Sequence, residues 1–462
     1  MRKILALCVA TALLTMPLSG CGRAKINKGL PAFEDNTIMR AAWWCPSPNE
    51  QEYTLYRDAG LNTVLLVNHN FWRIEGSDTL RDGYYLGRAD GYEGQTMTER
   101  SLALAKQMGL SVVLSDGNYL FPEDYNVYEK HTIDYSGYED VIVGVFSGDE
   151  PSLLQISDRA ANIQNAKQHF PNVPYFCNLF PMYADKNTLK TDSYSTYLNT
   201  YGEQFLAKTT APRLLSVDFY PYISTAAQQY RWLLNYRMVA EKAAEYDADT
   251  HFFIQTADGI TLSYDLLTQE MVRQQVNVAL AYGADAYSYY LYQPAIGGYN
   301  YGLVEGDNLT PSRYYQFAKT VNAEAASVEQ ALLHYDWVST HPVTNDVTDF
   351  STGAFLMLQR DTREELYEQA TLLTKAESDN RMLVTLLRDD DGNEAYYVVN
   401  YFDAYDDEQE EAATVTLTFD GMKQVAVFGT VECKKGEVVT LTDNTFTYTL
   451  SPGDACLVVP YH

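Results

Sequence analysis

Short apolar runs alternate with longer amphipathic segments through the first two thirds of the chain. The runs are rich in β-branched and aromatic residues, as buried strands are, whereas the segments between them repeat apolar residues at helical spacing. Eight runs of this kind contain the sequences MRAAWWCP, TVLLVNHN, SVVLSDGN, VIVGVFSGDEP, VPYFCNLFP, RLLSVDFYPY, THFFIQTADG and ADAYSYYLYQP. Eight strand and helix units in succession predict an α/β fold, a (β/α)8 TIM barrel, over residues 36–334.

A doubly wound α/β sheet is the main alternative for such a pattern, because it also alternates strands with helices. That fold usually carries a glycine-rich phosphate-binding turn after its first strand. The stretch at the end of the first apolar run reads WWCPSPNEQ and contains no glycine. The sequence therefore favours the closed barrel.

The pattern changes after about residue 335. Apolar and polar residues then alternate at short spacing in RMLVTLLRDDDGNEAYYVVNYF, ATVTLTF, QVAVFGTV and TFTYTLSPGDACLVVPY. This spacing, with no long helix expected between the strands, predicts a C-terminal all-β sandwich over residues 335–462. The segment DDDGNE at Asp389 is interpreted as a hairpin turn, with a calcium site as the alternative.

The N-terminal residues 1–20 have the pattern of a bacterial export signal. A basic start precedes an apolar run that ends near Leu14 and is too short to span a bilayer. Small residues stand directly before Cys21, as in a lipobox, so we expect cleavage before Cys21 and a lipid on that residue. An ordinary signal with an unmodified Cys21 is the alternative. Residues 21–35 then form a tether, which predicts a protein held by its lipid at the cell surface or outer face of the membrane.

The acidic composition narrows the classes of partner. The chain has 462 residues, 46% of them hydrophobic, and a formal net charge of -28. Nucleic acids and anionic membrane surfaces call for clustered Lys and Arg, so we expect neither as a partner. A neutral or cationic ligand is easier to accommodate, and the 38 Tyr either suit sugar surfaces or pack the core. The oligomeric state is left open.

The cysteines show neither zinc-site nor redox-motif spacing, and we expect no metal and no cofactor. An exported protein allows a disulfide between Cys433 and Cys456. Buried free thiols are the expected state.

In a (β/α)8 barrel the reactive groups lie at the C-terminal ends of the strands. The predicted strand ends carry carboxylates, amides and aromatic rings. Glycosidic chemistry uses these groups, because one acid protonates the leaving oxygen, a second carboxylate attacks or activates water, and amides and rings hold the sugar. In chain order the candidates are Trp43, Trp44, Asn68, His69, Asp116, Asp149, Glu150, Asn178, Asp218, Tyr220, Gln255, Asp258, Tyr290 and Tyr292.

A family resemblance rests on three stretches, GVFSGDEPS at the fourth strand, SVDFYPY at the sixth and YNYGLVEGDNLTPSRYYQFAKTVNAE after the eighth. They resemble the barrel of clan A glycoside hydrolases, most nearly uncharacterised relatives of the family 42 β-galactosidases, over roughly residues 35 to 330. The resemblance implies that Glu150 is the acid/base. Asp149 stands where the clan usually has Asn, and Gln255 stands where the clan has its nucleophilic Glu.

Two functions follow from these residues. The first is hydrolysis of a glycosidic bond in a poly- or oligosaccharide, with Glu150 as general acid and Asp218, then Asp258 or Asp149, as the second carboxylate. The separation of the two carboxyl groups would distinguish inversion from retention. The second is a glycan-binding lipoprotein without turnover, which Gln255 favours. A purely structural alternative has the acid pair capping the helix that follows it.

Overall fold

A computed structural model of the chain describes most of its residues. They are 30–67, 71–73, 80–82, 97–115, 135–167, 170–222, 226–257, 267–294, 302–306, 309–345, 353–402, 411–432 and 434–461. The expected lipidation site and several candidates lie outside these ranges, namely Cys21, Asn68, His69, Asp116, Asp258 and Cys433. For them the expectations from the sequence remain predictions.

The first part of the chain alternates strands with helices, as its apolar pattern predicts. In chain order the elements are β1 (Met39–Ala42), α1 (Glu50–Asp58), β2 (Thr63–Leu65), β3 (Phe71–Arg73), β4 (Leu80–Asp82), α2 (Met97–Met108), β5 (Ser111–Leu114), β6 (Ile142–Asp149), α3 (Ile156–Ala166), β7 (Tyr175–Leu179), α4 (Lys186–Leu189), α5 (Tyr194–Tyr201), β8 (Leu214–Val217), α6 (Ala226–Glu245), β9 (Asp249–Gln255), α7 (Gln269–Ala281), β10 (Ala284–Tyr290) and α8 (Arg313–Leu332). A π-helical turn, Gly202–Leu206, extends α5. The long insertion after the second barrel strand carries the β3–β4 hairpin.

Eight of these strands form one parallel sheet in the order β1-β10-β9-β8-β7-β6-β5-β2. The two end strands of this order meet at Asn62, just before β2. The backbone N–H of Asn62 donates to the carbonyl of Arg40 at 3.0 Å, and its side-chain amide bridges the backbone of Ile38 and Arg40. The barrel predicted from the sequence is therefore confirmed.

Alternate side chains of each barrel strand point inward or outward, because successive residues of a strand face opposite sides. On β9, Phe252 and Ile254 pack outward with the helices, whereas Phe253 packs inward. The ring of Trp43 meets those of Phe146 and Phe253 edge to face, with centroids 5.5 Å apart in both pairs. These three rings fill the barrel near its C-terminal end, so polar residues further along the same strands project at the mouth.

Helix α7 is buried between the barrel and the C-terminal part of the chain. Every residue in the range 271–281 is buried. Arg273 forms a bidentate ion pair with Glu324 of α8, at 2.7 and 2.8 Å. On its other side, Asn277 donates to the carbonyl of Gly453 at 2.7 Å. The polar residues of this helix therefore bond to protein on both sides rather than to solvent.

The C-terminal part of the chain is built from antiparallel sheets. Its elements are β11 (Asp336–Val343), α9 (Gly353–Gln369), β12 (Leu373–Ser378), β13 (Met382–Arg388), β14 (Glu394–Asn400), β15 (Ala413–Phe419), β16 (Gln424–Gly429), β17 (Glu437–Thr440), β18 (Thr445–Leu450) and β19 (Ala455–Tyr461). One sheet has the order β11-β13-β14-β19-β16-β17 and the other the order β12-β15-β18. Apolar side chains of both sheets, among them Val384, Val398 and Val415, pack in one core between them. The predicted β-sandwich is confirmed.

Helix α9 corrects the expectation that no long helix interrupts this domain. It covers 17 residues between β11 and β12. Phe355, Leu358 and Leu366 on this helix are buried, and residues three and eight apart lie on one helix face. A helical period was thus present in the sequence, within a region whose other segments alternate with period two.

The segment at Asp389 forms the hairpin turn that the sequence predicts. The backbone N–H of Asp389 donates to the carbonyl of Asn393 at 3.0 Å. The Asp389 carboxylate accepts from the backbone N–H groups of Asp391 and Asn393 at 3.0 and 2.8 Å. The first acid of the run therefore stabilises the turn itself.

Cys45, Cys177 and Cys456 are free thiols, and all three are buried. The possible partner of Cys456 in a disulfide, Cys433, is outside the described ranges. Across the described part of the chain, no helix is both long and apolar enough to cross a bilayer.

Candidate active site

The fourth barrel strand, β6, ends in a bulge that precedes two acids. One extra residue, Ser147, is inserted opposite β7 just before Gly148. Gly148 has φ +147°, and a Cβ there would lie 3.2 Å from the guanidinium carbon of Arg159, so the position favours glycine. A bulge re-aims the side chains that follow it. Here those side chains belong to Asp149 and Glu150.

Two strained residues lie at the mouth of the barrel. Glu150 has φ +44° and Trp44 has φ +56°, a region that residues with a Cβ rarely adopt. The N–H of Glu150 donates to the carbonyl of Asn178 on β7 at 2.8 Å, which ties the strained residue to the sheet. Strain of this kind persists where surrounding structure enforces it, and it clusters at functional sites.

Asn178 connects two of the predicted carboxyl groups. Its Nδ2 donates to Oδ1 of Asp149 at 3.3 Å, and the same side chain lies near enough to Asp218, at the end of β8, to oppose the rise of its pKa. Glu150 also lies within electrostatic reach of Asp218. The structure therefore brings together Asp149, Glu150 and Asp218, which we call the acid cluster.

The acid cluster holds protons more tightly than isolated carboxyl groups do. Asp149 is exposed at the mouth but is surrounded by protein atoms, and the resulting desolvation raises its pKa to about 6. The hydrogen bond from Asn178 has a smaller, opposite effect on this pKa. Desolvation and then the charge of Asp149 raise the pKa of Glu150 to about 7. Burial, followed by the charges of Glu150 and Asp149, raises the pKa of Asp218 well above its usual range. Near neutral pH, at least one member of the cluster is therefore protonated.

Asp218 has a buried oxygen without a partner. The residue is 8% exposed, and its Oδ1 has no hydrogen-bond partner among the residues that the structure describes. A buried acceptor in this state is costly. A bound hydroxyl group or a water molecule that donates to Oδ1 would remove that cost.

Aromatic rings line one side of the acid cluster. The rings of Trp44 and Tyr290 lie 6.1 Å apart, and those of Tyr290 and Tyr220 lie 5.2 Å apart. Tyr183, which was not among the sequence candidates, lies close to Asp218: burial first, and then the Asp218 charge, raise the pKa of its hydroxyl. We call these four residues the aromatic arc. Rings with an apolar face and a polar tip suit the faces of sugars.

Three other candidates have different surroundings. Trp43 packs inside the barrel. Tyr292 is fully buried and its ring packs against Tyr56 of α1, with centroids 5.2 Å apart. Gln255 ends β9 with its Oε1 accepting from the N–H of Tyr222 at 3.2 Å. The structure therefore does not bring Trp43 or Tyr292 to the mouth beside the acids, and Gln255 is a buried, anchored neutral amide at the end of its strand.

Three buried polar residues inside the barrel were missed by the sequence reasoning. Ser216 Oγ donates to Oδ1 of Asn178 at 3.1 Å and contacts Nδ1 of His251 at 2.8 Å. Nε2 of His251 contacts Oγ of Ser288 at 2.8 Å. We call Ser216, His251 and Ser288 the interior relay. Each lies an even number of residues before a strand-end candidate, so the alternation of strand side chains was the signal that could have found them.

Helix capping does not account for the acid pair. Helix α3 begins at Ile156, and its N-cap is Gln155, whose side chain makes no capping hydrogen bond. The acids at 149 and 150 thus precede the cap by five residues or more. The structural alternative stated above is wrong for this pair.

The solved structures that match this chain are mostly glycoside hydrolases. A catalytic mutant of a GH42 β-galactosidase from G. stearothermophilus matches 93% of this chain and 99% of its own, at 10% identity and a TM-score of 0.51. A GH30 endoxylanase from Clostridium papyrosolvens matches 95% and 99%, at 12% identity and a TM-score of 0.42. A glucosidase from Croceicoccus marinus matches 95% and 98%, at 12% identity and a TM-score of 0.44.

The chain has a glycosidase-like fold. No protein-family model matches it, and no curated protein matches it either. At 10% identity the match to the β-galactosidase supports the architecture alone. The case for a chemical function therefore rests on the acid cluster and its surroundings.

Proposed function

We propose that the protein is an exported, lipid-anchored glycoside hydrolase that cleaves a poly- or oligosaccharide with Glu150 as its general acid. The observation that carries this proposal is the acid cluster at the mouth of a glycosidase-like barrel, with the raised pKa values of its members. Glycoside hydrolysis needs one protonated and one ionised carboxyl group on either side of the scissile bond.

Glu150 is assigned the acid role because its pKa of about 7 leaves about half of it protonated at neutral pH, as suits a general acid. It gives its proton to the glycosidic oxygen as the bond from that oxygen to the anomeric carbon breaks. Asp218 is assigned the role of the second carboxylate, which attacks the anomeric carbon or takes a proton from the water that attacks it, because it stands on a different strand and its Oδ1 is unpartnered within the described residues. When both are ionised Glu150 and Asp218 repel each other, so the pair retains one proton, and the productive form carries it on Glu150.

The neighbours of the pair have supporting roles. Asn178 holds Asp149, and the aromatic arc offers faces on which a sugar ring can stack. The ionised form of Asp149 favours the protonated form of Glu150 through like-charge repulsion. No metal or cofactor enters this scheme.

The anchoring part of the proposal is supported by the lipobox-like sequence before Cys21. Metabolic labelling with a fatty acid tests it. Label that remains on a Cys21→Ala variant would contradict lipidation at this residue.

The test of hydrolysis compares the fragment that starts after Cys21 with its Glu150→Gln variant on a panel of glycosides and polysaccharides. Loss of the general acid is expected to lower turnover by about 10²- to 10⁴-fold without unfolding the protein. Asp158→Asn is the matched control, because Asp158 is an exposed carboxylate on the nearby helix α3. Full activity in Glu150→Gln on a true substrate would contradict the proposal.

A glycan-binding protein without turnover is the second candidate. The observation that favours it is Gln255, a neutral amide at the end of β9, held by the backbone of Tyr222. An amide cannot form the ester intermediate of a retaining enzyme. Retention of one glycan by both wild type and Glu150→Gln, with no product from either, would favour this function.

A further inference from the structure

The interior relay is buried and takes no direct part in the chemistry proposed above. Ser216, His251 and Ser288 are each 0% exposed. Together they link β8, β9 and β10 and end on Asn178 of β7. Buried polar groups are costly unless their hydrogen bonds are made. A polar chain across four strands of a barrel interior therefore calls for an explanation.

The direction of the hydrogen bonds follows from the acid cluster. Asp149 has a pKa of about 6 and is mostly ionised at neutral pH, so its carboxylate only accepts hydrogen bonds and Asn178 must turn its Nδ2 towards it. Its Oδ1 is then left to accept from Ser216 Oγ at 3.1 Å. Ser216 has only one hydroxyl proton and uses it on Asn178, so its oxygen must accept from Nδ1 of His251 at 2.8 Å.

The tautomer of His251 is therefore determined. Burial lowers the pKa of His251 to about 3, so the ring is neutral and carries one N–H. That proton lies on Nδ1, and Nε2 accepts from Ser288 Oγ at 2.8 Å. With the proton on Nε2 instead, Nδ1 would take the Ser216 proton. The Oδ1 of Asn178 would then lose its donor, and the amide would be free to turn its oxygen towards the carboxylates.

We propose that His251 is a positioning residue of the candidate active site, acting through Ser216 to fix the orientation of the Asn178 amide. That orientation points the amide Nδ2 at the acid cluster and holds Asp149 in place. The orientation follows from the contacts alone, whereas its effect on catalysis rests on the proposed function. Among the described residues, Asn178 affects the pKa values of Asp149 and Asp218.

The first test measures the tautomer and needs no substrate. The chain contains seven His, so the fragment after Cys21 labelled with ¹⁵N in histidine gives few imidazole signals, and the one lost in His251→Asn is assigned to His251. We expect a neutral ring protonated at Nδ1 that does not titrate between about pH 5 and 8. A proton on Nε2, or titration within that range, would overturn the inference.

The second test uses a pair of isosteric variants. An Asn side chain puts an amide near the position of Nδ1, so His251→Asn keeps a donor for Ser216. A Gln side chain puts its amide near Nε2, so His251→Gln keeps only the contact with Ser288. We expect kcat to fall about ten- to a hundredfold in His251→Gln with KM changed less than about twofold. In His251→Asn much of that loss is expected to be recovered.

A third variant, with a smaller substitution, disturbs folding less than a change of His251 does. Ser216→Ala removes one oxygen from the relay and is expected to lower kcat as His251→Gln does. Ser339→Ala is the matched control, because Ser339 is also a buried serine whose hydroxyl has no partner among the described residues, and it lies on β11 of the sandwich. Equal kcat in Ser216→Ala and Ser339→Ala would overturn the inference.

The failure of this inference can be told apart from the failure of the proposed function. If the wild type hydrolyses nothing, the proposed function fails, and the imidazole spectrum still decides the orientation of the relay. If hydrolysis depends on Glu150 but not on Ser216 or His251, the proposed function stands and the positioning role fails.

Discussion

Two groups of carboxylates in the same barrel domain, one on α8 and one at the mouth, have opposite electrostatic surroundings. On α8, Glu324 is paired with Arg273 at 2.7 and 2.8 Å, and Glu329 is paired with Arg40 at 2.6 Å. In the acid cluster at the mouth, none of the described ion pairs involves a member, and Asn178 supplies a neutral donor instead. The carboxylates on α8 are neutralised by arginines, whereas the ionised carboxylates of the acid cluster repel one another.

The difference shows that burial alone does not mark a functional acid. Burial would raise the pKa of Glu394 in the β-sandwich, but hydrogen bonds from Tyr396 and Arg388 outweigh it and lower that pKa. In the acid cluster the same desolvation is reinforced by like charges. A buried carboxylate without a cation costs stability unless hydrogen bonds compensate for it, and a cluster of such groups with raised pKa values in a cleft is a candidate site of proton transfer.

Among the variants that test this comparison, Asp218→Asn is expected to have the largest effect on turnover. Removal of the second carboxylate should lower turnover by about 10²- to 10⁴-fold. The same change removes a buried charge beside two like charges, so the melting temperature should rise, corresponding to about 0.5–2 kcal/mol of added stability. Calorimetry and product release on the same sample measure both effects.

Asp454→Asn is the matched control for Asp218→Asn. Asp454 is also a buried aspartate, but it accepts from Thr430 Oγ1 and from the backbone N–H groups of Val431 and Ala455. Replacing it should lower the melting temperature and leave turnover unchanged. A similar fall in melting temperature for Asp218→Asn would contradict the idea that the acid cluster is electrostatically strained.

A smaller effect is expected when a paired carboxylate loses its cation. Arg273→Met leaves Glu324 buried and uncompensated, which should destabilise the fold by about 3–5 kcal/mol in urea unfolding. Adding Glu324→Leu should recover much of that loss. Arg57 and Asp58 form an exposed pair at 3.1 Å, and Arg57→Met should cost less than about 0.5 kcal/mol. Equal losses of stability in Arg273→Met and Arg57→Met would contradict the expected difference between buried and exposed ion pairs.

The smallest effect is a pH dependence of stability with opposite signs for the two kinds of acid. The pKa of Glu150 is raised from 4.5 to about 7, so its stabilising contribution is complete below pH 4.5 and is lost as pH rises to about 7. The difference in melting temperature between Glu150→Gln and wild type should therefore increase in favour of the variant as the pH rises from 4.5 to about 7. The pKa of Glu394 is lowered, so Glu394→Gln should lose stability relative to wild type above the usual glutamate pKa. Curves that run parallel for both variants would contradict the assignment.

Most of the fold was predictable from local pattern, because alternating short apolar runs and amphipathic segments directly reflect parallel strands and their covering helices. The hairpin at Asp389 was equally local. Helix α9 was missed because its buried residues, such as Phe355 and Leu358, lie in a region where neighbouring segments alternate with period two. The period-two pattern of the neighbouring segments thus hid the helical pattern of α9.

The site was only partly predictable. Strand ends were identifiable, so Asp149, Glu150, Asn178 and Asp218 could be named together. Whether a strand-end ring turns to the mouth depends on packing across the barrel, and Tyr292 packs against α1 instead. The interior relay depends on the register between strands, which pairs Ser216 with both Asn178 and His251. Register is a property of the closed sheet that no single segment contains.

Helix α7 packs against both the barrel and the sandwich and joins them into one structural unit. Eleven consecutive residues of this helix are buried, and Gln274 bonds at once to the hydroxyl of Tyr222 in the barrel and to the backbone of Phe402 in the sandwich. Without the sandwich, the residues of α7 that face it would be exposed to water. Domains that meet at flexible linkers can be exchanged separately between genes, and we expect this barrel and its sandwich to be inherited together instead.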